Sequence, residues 1–219
     1  MDNKLELTRR RLLRWSGAAG ATLVIGGIAL PNFGITAAMA ADLGEGDVGV
    51  LNYAYALEQL EAAFYTMVID SPYAGITEDE TDWLTDIRDH EVAHRDFLAE
   101  ALGEDAIPAL DVDFSAVDFT DRHSVLSTAM TFEDLGVGAY NGAGKLIENP
   151  DYLLAAGRIV SVEARHAAFI RDLLNMNSVA FAGPDVVDDN GLDVAYSPAE
   201  VLPKAAPFIT TEVTANSLV

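Results

Sequence analysis

The sequence predicts an all-α fold, an antiparallel four-helix bundle, on three observations. Four stretches carry inward positions at alternating steps of three and four residues, the spacing of a helix seam packed against neighbours. A Glu-x-x-His pair occurs twice, Glu91 with His94 and Glu163 with His166, each followed three residues later by a phenylalanine, Phe97 and Phe169. Each pair is preceded by a lone glutamate with a tyrosine seven residues on, Glu58 with Tyr65 and Glu133 with Tyr140. The two copies keep register: Glu58 to Glu133 and Tyr65 to Tyr140 are 75 residues, Glu91 to Glu163 and His94 to His166 are 72. With 14 Glu and 4 His in 219 residues, composition alone yields Glu-x-x-His roughly a quarter of a time, so a doubled pattern with matched flanks needs another cause.

The elements follow in order. Residues 1–40 form a targeting segment: Arg9, Arg10 and Arg11 are followed by Leu12 and Leu13, then by a soft Ala/Gly-rich run from Trp15 to Leu30, then by Ala38-Met39-Ala40 as a small-x-small cleavage site. The run is short for a membrane span and resembles a twin-arginine export signal. Residues 41–176 hold the bundle. Helix A is expected from about Asp47 to Ile69, with Val48, Leu51, Tyr55, Glu58, Ala62 and Tyr65 on its seam. Thr77-Glu78-Asp79-Glu80 is a capping box that opens helix B, with Leu84, Ile87, Glu91, His94, Leu98 and Ala101 inside and Gly103 as the stop.

Residues 104–119 are long for a helix–helix link, which usually takes about 2–8 residues. They suit a crossover along the bundle that sets helix C parallel to B. Helix C is expected from near Thr120 to near Glu148, with Leu126, Met130, Glu133, Val137, Tyr140 and Gly144 inside. Its four glycines, at 136, 138, 142 and 144, weaken it on propensity and suggest close packing. Pro150 can open helix D, whose inner residues are Leu153, Ala156, Val160, Glu163, His166, Ile170 and Leu173. Trp83 and Met130 are expected as core fillers. Residues 177–219 are expected as an irregular tail packed on the bundle, with a helical turn at Ser197-Pro198-Ala199-Glu200 and Phe208 and Ile209 as anchors.

Composition removes several functions. The chain has no cysteine, which excludes disulfides, iron–sulfur clusters, thiol catalysis and a built-in thiolate electron relay. The formal net charge is −22, and beyond residue 40 there are 8 basic against 33 acidic residues. Such self-repulsion is tolerable where salt screens it, over about 3 Å at 1 M, so the bias resembles that of proteins from hypersaline habitats. It argues against nucleic acid as a partner.

Glu58, Glu91, His94, Glu133, Glu163 and His166 all fall on seams that are otherwise apolar. A buried unpaired carboxylate costs several kcal/mol, and four together repel. Two divalent cations balance four carboxylates, so two metals are expected rather than one. The i,i+3 spacing sets Glu and His on one helix face. In the inferred arrangement Glu91 and Glu163 bridge, Glu58 and His94 serve one ion, and Glu133 and His166 serve the other. Glu61, one turn from Glu58, is a candidate seventh carboxylate whose counterpart position holds Gly136. His90 is expected as a surface or supporting residue, and His123 as a helix-end surface residue. Tyr65 and Tyr140 are candidates for a supporting catalytic role through bonds to ligand carboxylates.

Residues 48–175 resemble a ferritin-like di-iron-carboxylate domain. The closest stretches are Leu57-Glu58-Gln59-Leu60-Glu61-Ala62-Ala63-Phe64-Tyr65 and Val162-Glu163-Ala164-Arg165-His166-Ala167-Ala168-Phe169. The similarity is greatest to the secreted group that includes desiccation-related proteins. It implies two Fe ions, with Mn as the alternative, and Fe(II) oxidation or reduction of O2 or peroxide. The other implied roles are a manganese catalase-like activity and a non-catalytic metal-binding or stress-protection module. Export to the exterior or cell surface, no stable membrane span after cleavage, and association with further copies complete the expectation.

Overall fold

A computed structural model describes residues 40–176, 178–215 and 217–218; the expected targeting segment, residues 1–40, lies outside the described residues except for its last residue. Four long helices dominate: α1 (Gly46–Asp70), α2 (Glu78–Leu102), α3 (Arg122–Ala143) and α4 (Pro150–Leu174). A short α5 (Pro198–Ala205) and a two-residue parallel pair, β1 (Ala41–Asp42) with β2 (Val213–Thr214), complete the elements.

Local chemistry sets the helix starts. The Thr77 hydroxyl accepts from the Glu80 N–H at 3.1 Å while the Glu80 carboxylate reaches back to the Thr77 N–H, so two otherwise unsatisfied donors are capped reciprocally. Asp121 caps α3 by accepting from the Ser124 N–H. Asn149 caps α4, with Pro150 in its first turn. Gly103, at φ +58°, ends α2 in the left-handed region that glycine tolerates best.

Hydrogen bonds between helix ends fix their directions. The Asn52 amide, near the start of α1, donates to Asp105 O just beyond the end of α2, so these two helices are antiparallel. Arg122, at the start of α3, bonds Glu80 at the start of α2 and Leu173 O at the end of α4. Thus α3 runs parallel to α2 and antiparallel to α4. The Asp47 carboxylate accepts from Glu148 N and Asn149 N, which sets α3 antiparallel to α1.

The crossover lies along α1. The Asn52 carbonyl oxygen accepts from Ile107 N, the Gln59 side chain bonds Leu110 N and Pro108 O, Phe114 packs edge-on to Phe64, and Ala74 N donates to Thr120 O. Asn52 and Gln59 are therefore buried but satisfied, as buried amides must be.

The tail covers α3. Tyr196 N donates to Gly138 O at 2.8 Å, and its ring and backbone sit where side chains on Gly138 and Gly142 would be: a Cβ on Gly142 would lie 1.8 Å from Tyr196 O. This is the close packing that the helix C glycines anticipate. Phe208 meets Phe132 edge-to-face at 4.8 Å, Ile209 bridges to Val112, and Val201, Ala205 and Leu218 are buried. Among the described residues the tail holds, besides the expected helical turn, which extends over Pro198–Ala205, two 3-10 turns and a two-residue strand.

Several details depart from the sequence expectation: Val48 and Ala101, expected inside helices A and B, are exposed. Helix α3 stops at Ala143, short of Glu148, and continues as a 3-10 turn over Gly144–Leu146. The chain must be extended before Pro150, and Asp47 holds Glu148 and Asn149 in that bend. Leu153 is 46% exposed, and the first buried apolar residue of α4 is Ile159; the first turns of α4 pack on the core through Tyr152 and Ala156 instead. Trp83 is also largely exposed, its ring edge-on to Phe169 on the outer surface of α2 and α4.

Candidate metal centre

Each of the four long helices delivers part of one polar cluster into the middle of the bundle. Helix α1 brings Glu58, α2 brings Glu91 and His94, α3 brings Glu133, and α4 brings Glu163 and His166. The four glutamates are wholly buried and His166 nearly so. All six residues that the spacing singled out are thus brought together. They form two overlapping groups whose candidate ligand atoms lie within 4.8 Å of one another: Glu58, Glu91, His94 and Glu163, and Glu91, Glu133, Glu163 and His166.

The geometry has an approximate two-fold character. His94 Nδ1 lies 2.8 Å from Glu163 Oε1, 3.6 Å from Glu91 Oε2 and 3.6 Å from Glu58 Oε2. His166 Nδ1 lies 2.8 Å from Glu91 Oε1, 3.7 Å from Glu163 Oε2 and 3.5 Å from Glu133 Oε2. Glu91 and Glu163 therefore each turn one oxygen to each imidazole, whereas Glu58 and Glu133 each serve one side.

The tyrosines complete the pattern across the two halves. Tyr65 of α1 donates to Glu133 Oε1 on α3 at 2.6 Å, and Tyr140 of α3 donates to Glu58 Oε1 on α1 at 2.5 Å. Each hydroxyl occupies the outer oxygen of its carboxylate and leaves the inner one free.

The inner atoms have no partner. Among the described residues ten buried side-chain polar atoms lack a hydrogen bond, and eight belong to this cluster: Glu58 Oε2, both oxygens of Glu91 and of Glu163, Glu133 Oε2, and Nδ1 of His94 and of His166. The imidazole–carboxylate approaches are close but do not meet hydrogen-bond geometry. Buried polar atoms are normally satisfied. Eight unsatisfied oxygen and nitrogen donors facing one another are the complement of cations, and this donor set suits first-row metals.

Electrostatics agree. Burial pushes the Glu91 carboxyl well up, helped by the charge on Glu163, and pushes Glu133 up to about 7. Burial opposes ionisation of Glu163 too, but the two imidazoles outweigh it and hold it down at about 2. Burial alone would lower His94 and His166, yet the glutamates around them push both up to about 12.

Three further residues belong to the surroundings. Glu61 is buried, faces Gly136 with a carboxylate oxygen 3.1 Å from where a Cβ would be, and falls outside both four-residue groups. Burial, then the charges of Glu91, Glu163, Glu133 and Glu58, push its pKa well up. His90 is exposed at one edge yet places Nδ1 3.0 Å from His166 Nε2. The sequence leaves it between a surface and a supporting position, and the fold gives it both. His123 stands exposed in the first turn of α3, beside Ser127.

Arg171 was not singled out by the sequence. It is buried, pairs bidentately with Asp134 at 2.7 and 2.8 Å, and also holds Asp185 and Ala180 O. It pins the start of the tail beside Glu133. Its only sequence signal was a charge among the inward apolar residues of α4.

A four-helix bundle with a buried Glu/His cluster that could hold metal ions fits a ferritin-like protein. A family model described as a ferritin-like domain matches residues 46–176, more than half of the chain, and the protein belongs to that family. No curated protein matches it significantly. Among the described residues no helix is long and apolar enough to cross a membrane.

Proposed function

We propose that the protein is an exported di-metal oxidoreductase that oxidises Fe(II) or reduces O2 or peroxide at the six-residue cluster. The observation that carries this reading is the set of eight buried, unpartnered donor atoms directed at one another. Glu91 and Glu163 are shared between the two imidazoles, so they are assigned as bridges. Glu58 with His94 holds one ion, and Glu133 with His166 the other. Iron is the proposed metal; the same oxygen and imidazole donors accept manganese. When bound at Glu58, Glu91, His94, Glu133, Glu163 and His166, such a pair would supply the redox chemistry, its electrons passing to the oxidant and being made good by Fe(II) substrate or a reductase.

The chain's own groups bind, orient and shield. Tyr65 and Tyr140 hold the outer oxygens of Glu133 and Glu58, which fixes which oxygen faces the metals. Complete burial of the glutamates excludes bulk water and strengthens every charge interaction in the cluster. Glu61, whose pKa is pushed well up by burial and by the charges of Glu91, Glu163, Glu133 and Glu58, adds a further buried carboxyl beside the cluster. With no cysteine in the chain, reducing electrons come from the metal substrate itself or from a separate protein. The export reading rests on Arg9, Arg10, Arg11, Leu12 and Leu13 and the Ala38-Met39-Ala40 site.

The test is to purify the folded protein, measure metal per chain, and add Fe(II) in air and, separately, hydrogen peroxide. About two ions per chain with rapid Fe(II) oxidation or peroxide consumption are expected. Oxygen evolution by a manganese-loaded sample would assign the site to peroxide disproportionation. Two bound ions with neither reaction would overturn the oxidoreductase reading and leave a metal-stabilised module.

A further inference from the structure

The two halves of the cluster match atom for atom in their inward donors, and then differ behind one histidine. His166 turns Nδ1 to the carboxylates and Nε2 to His90 Nδ1, 3.0 Å away, with the two rings within 10° of parallel. The 72-residue offset that relates His94 to His166 relates His90 to Val162, which has no polar atom in its side chain. Among the described residues no protein group bonds His94 Nε2. The same ligand type is therefore supported in one half and left to solvent in the other.

A neutral imidazole has one ring proton to place. If His166 Nδ1 presents a lone pair to a cation, the proton sits on Nε2 and needs an acceptor there. His90 Nδ1 is at hydrogen-bond distance, and the exposed ring of His90 can give its own Nε2–H to water. Among the described residues His94 has no such acceptor, so nothing in the protein fixes its tautomer from behind. Partners of this kind typically change metal affinity by about 10–100-fold. The bridges are shared and each lone glutamate has its tyrosine; Glu61, which has no counterpart, lies outside both four-residue groups.

We propose that His90 is a positioning residue that fixes His166 as an Nδ1 ligand and makes the Glu133–His166 position the tighter of the two cation sites. This rests on the di-metal reading above. The inequivalence would fill the cluster in a set order.

The experiment titrates the metal-free full chain with Co(II), followed by calorimetry and by the visible bands of the bound ion. Two steps are expected, separated by about 10–100-fold in affinity. Glu133→Ala should abolish the tighter step and Glu58→Ala the weaker one. His90→Ala, at an exposed position, should bring the two steps together. His90→Gln, whose amide oxygen can accept from Nε2–H, should restore the separation, which a merely structural role would not predict. Two ions bound in one unresolved step by the unaltered protein would overturn the proposal and leave the di-metal reading standing. So would a separation that survives His90→Ala, or loss of the tighter step in Glu58→Ala. Failure to bind cobalt at all would overturn the di-metal reading, and the proposal with it.

Discussion

Helices α1 and α2 and helices α3 and α4 carry the same chemistry under different covers. Inside, Glu58, Tyr65, Glu91 and His94 repeat as Glu133, Tyr140, Glu163 and His166, with corresponding distances that agree within 0.1 Å. Outside, α1 is roofed by the crossover, held through Asn52 and Gln59, whereas α3 is roofed by the tail, seated on Gly138 and Gly142. A buried charge cluster tolerates little change, because each missing donor leaves others unpaired. An outer helix face needs only something apolar against it, so the two halves are free to differ there.

The comparison breaks most visibly at the bridges. Glu91→Ala and Glu163→Ala should each cost both ions, and Glu58→Ala and Glu133→Ala one each, by elemental analysis of the purified variants. Retention of two ions in Glu91→Ala would refute its bridging role.

Next in size is the pH response of the metal-free cluster. Both imidazoles are held up at about 12 in the folded chain against about 6.5 unfolded. Their contribution is complete below pH 6.5 and is lost as pH rises toward 12. The raised Glu91 changes stability in the same direction above its unfolded pKa. Metal-free protein should therefore be less stable at pH 8 than at pH 6, by up to about 1.4 kcal/mol per pH unit for each proton involved. Metal competes with those protons, so the rise in Tm on adding metal should be larger at pH 8. Thermal melts with and without metal at both values decide it.

The covers give the next effect. Gly142→Ala should destabilise by about 1–3 kcal/mol through its clash with Tyr196, despite the better helix propensity of alanine. In the first half the position at the same offset is Met67, 41% exposed, where Met67→Ala should change stability by under about 0.5 kcal/mol. Denaturant titration of the pair sharpens the contrast.

The tyrosines should behave alike. Tyr65→Phe and Tyr140→Phe each remove one hydrogen bond to a buried carboxylate, at about 1.5–3 kcal/mol, and both should keep two ions. Unequal losses in urea titrations would show that the inner symmetry is less complete than the distances indicate.

Much of the site was legible because the chemistry needs fixed spacings. Glu91 with His94 and Glu163 with His166 lie three residues apart, which on a helix is one face, and Glu58 and Glu133 interrupt apolar seams. The capping box at Thr77 and the stop at Gly103 were legible for the same reason: they are local. Leu153, Trp83 and the end of α3 were not, because exposure depends on where the neighbouring helix stops. His90 was ambiguous because its partner, His166, lies 76 residues away. Arg171 was not legible because Asp134, the carboxylate it pairs with bidentately, lies 37 residues away on α3.

The sequence by itself determined the helices, the duplicated donor set and the acidic, cysteine-free character, since periodicity and residue type act over a few residues. Only the tertiary structure decided which oxygen faces inward, that each tyrosine serves the opposite half, and that one histidine is supported while its twin is not. Those facts depend on side chains meeting across helices, and a spacing along one helix cannot specify a distance to another.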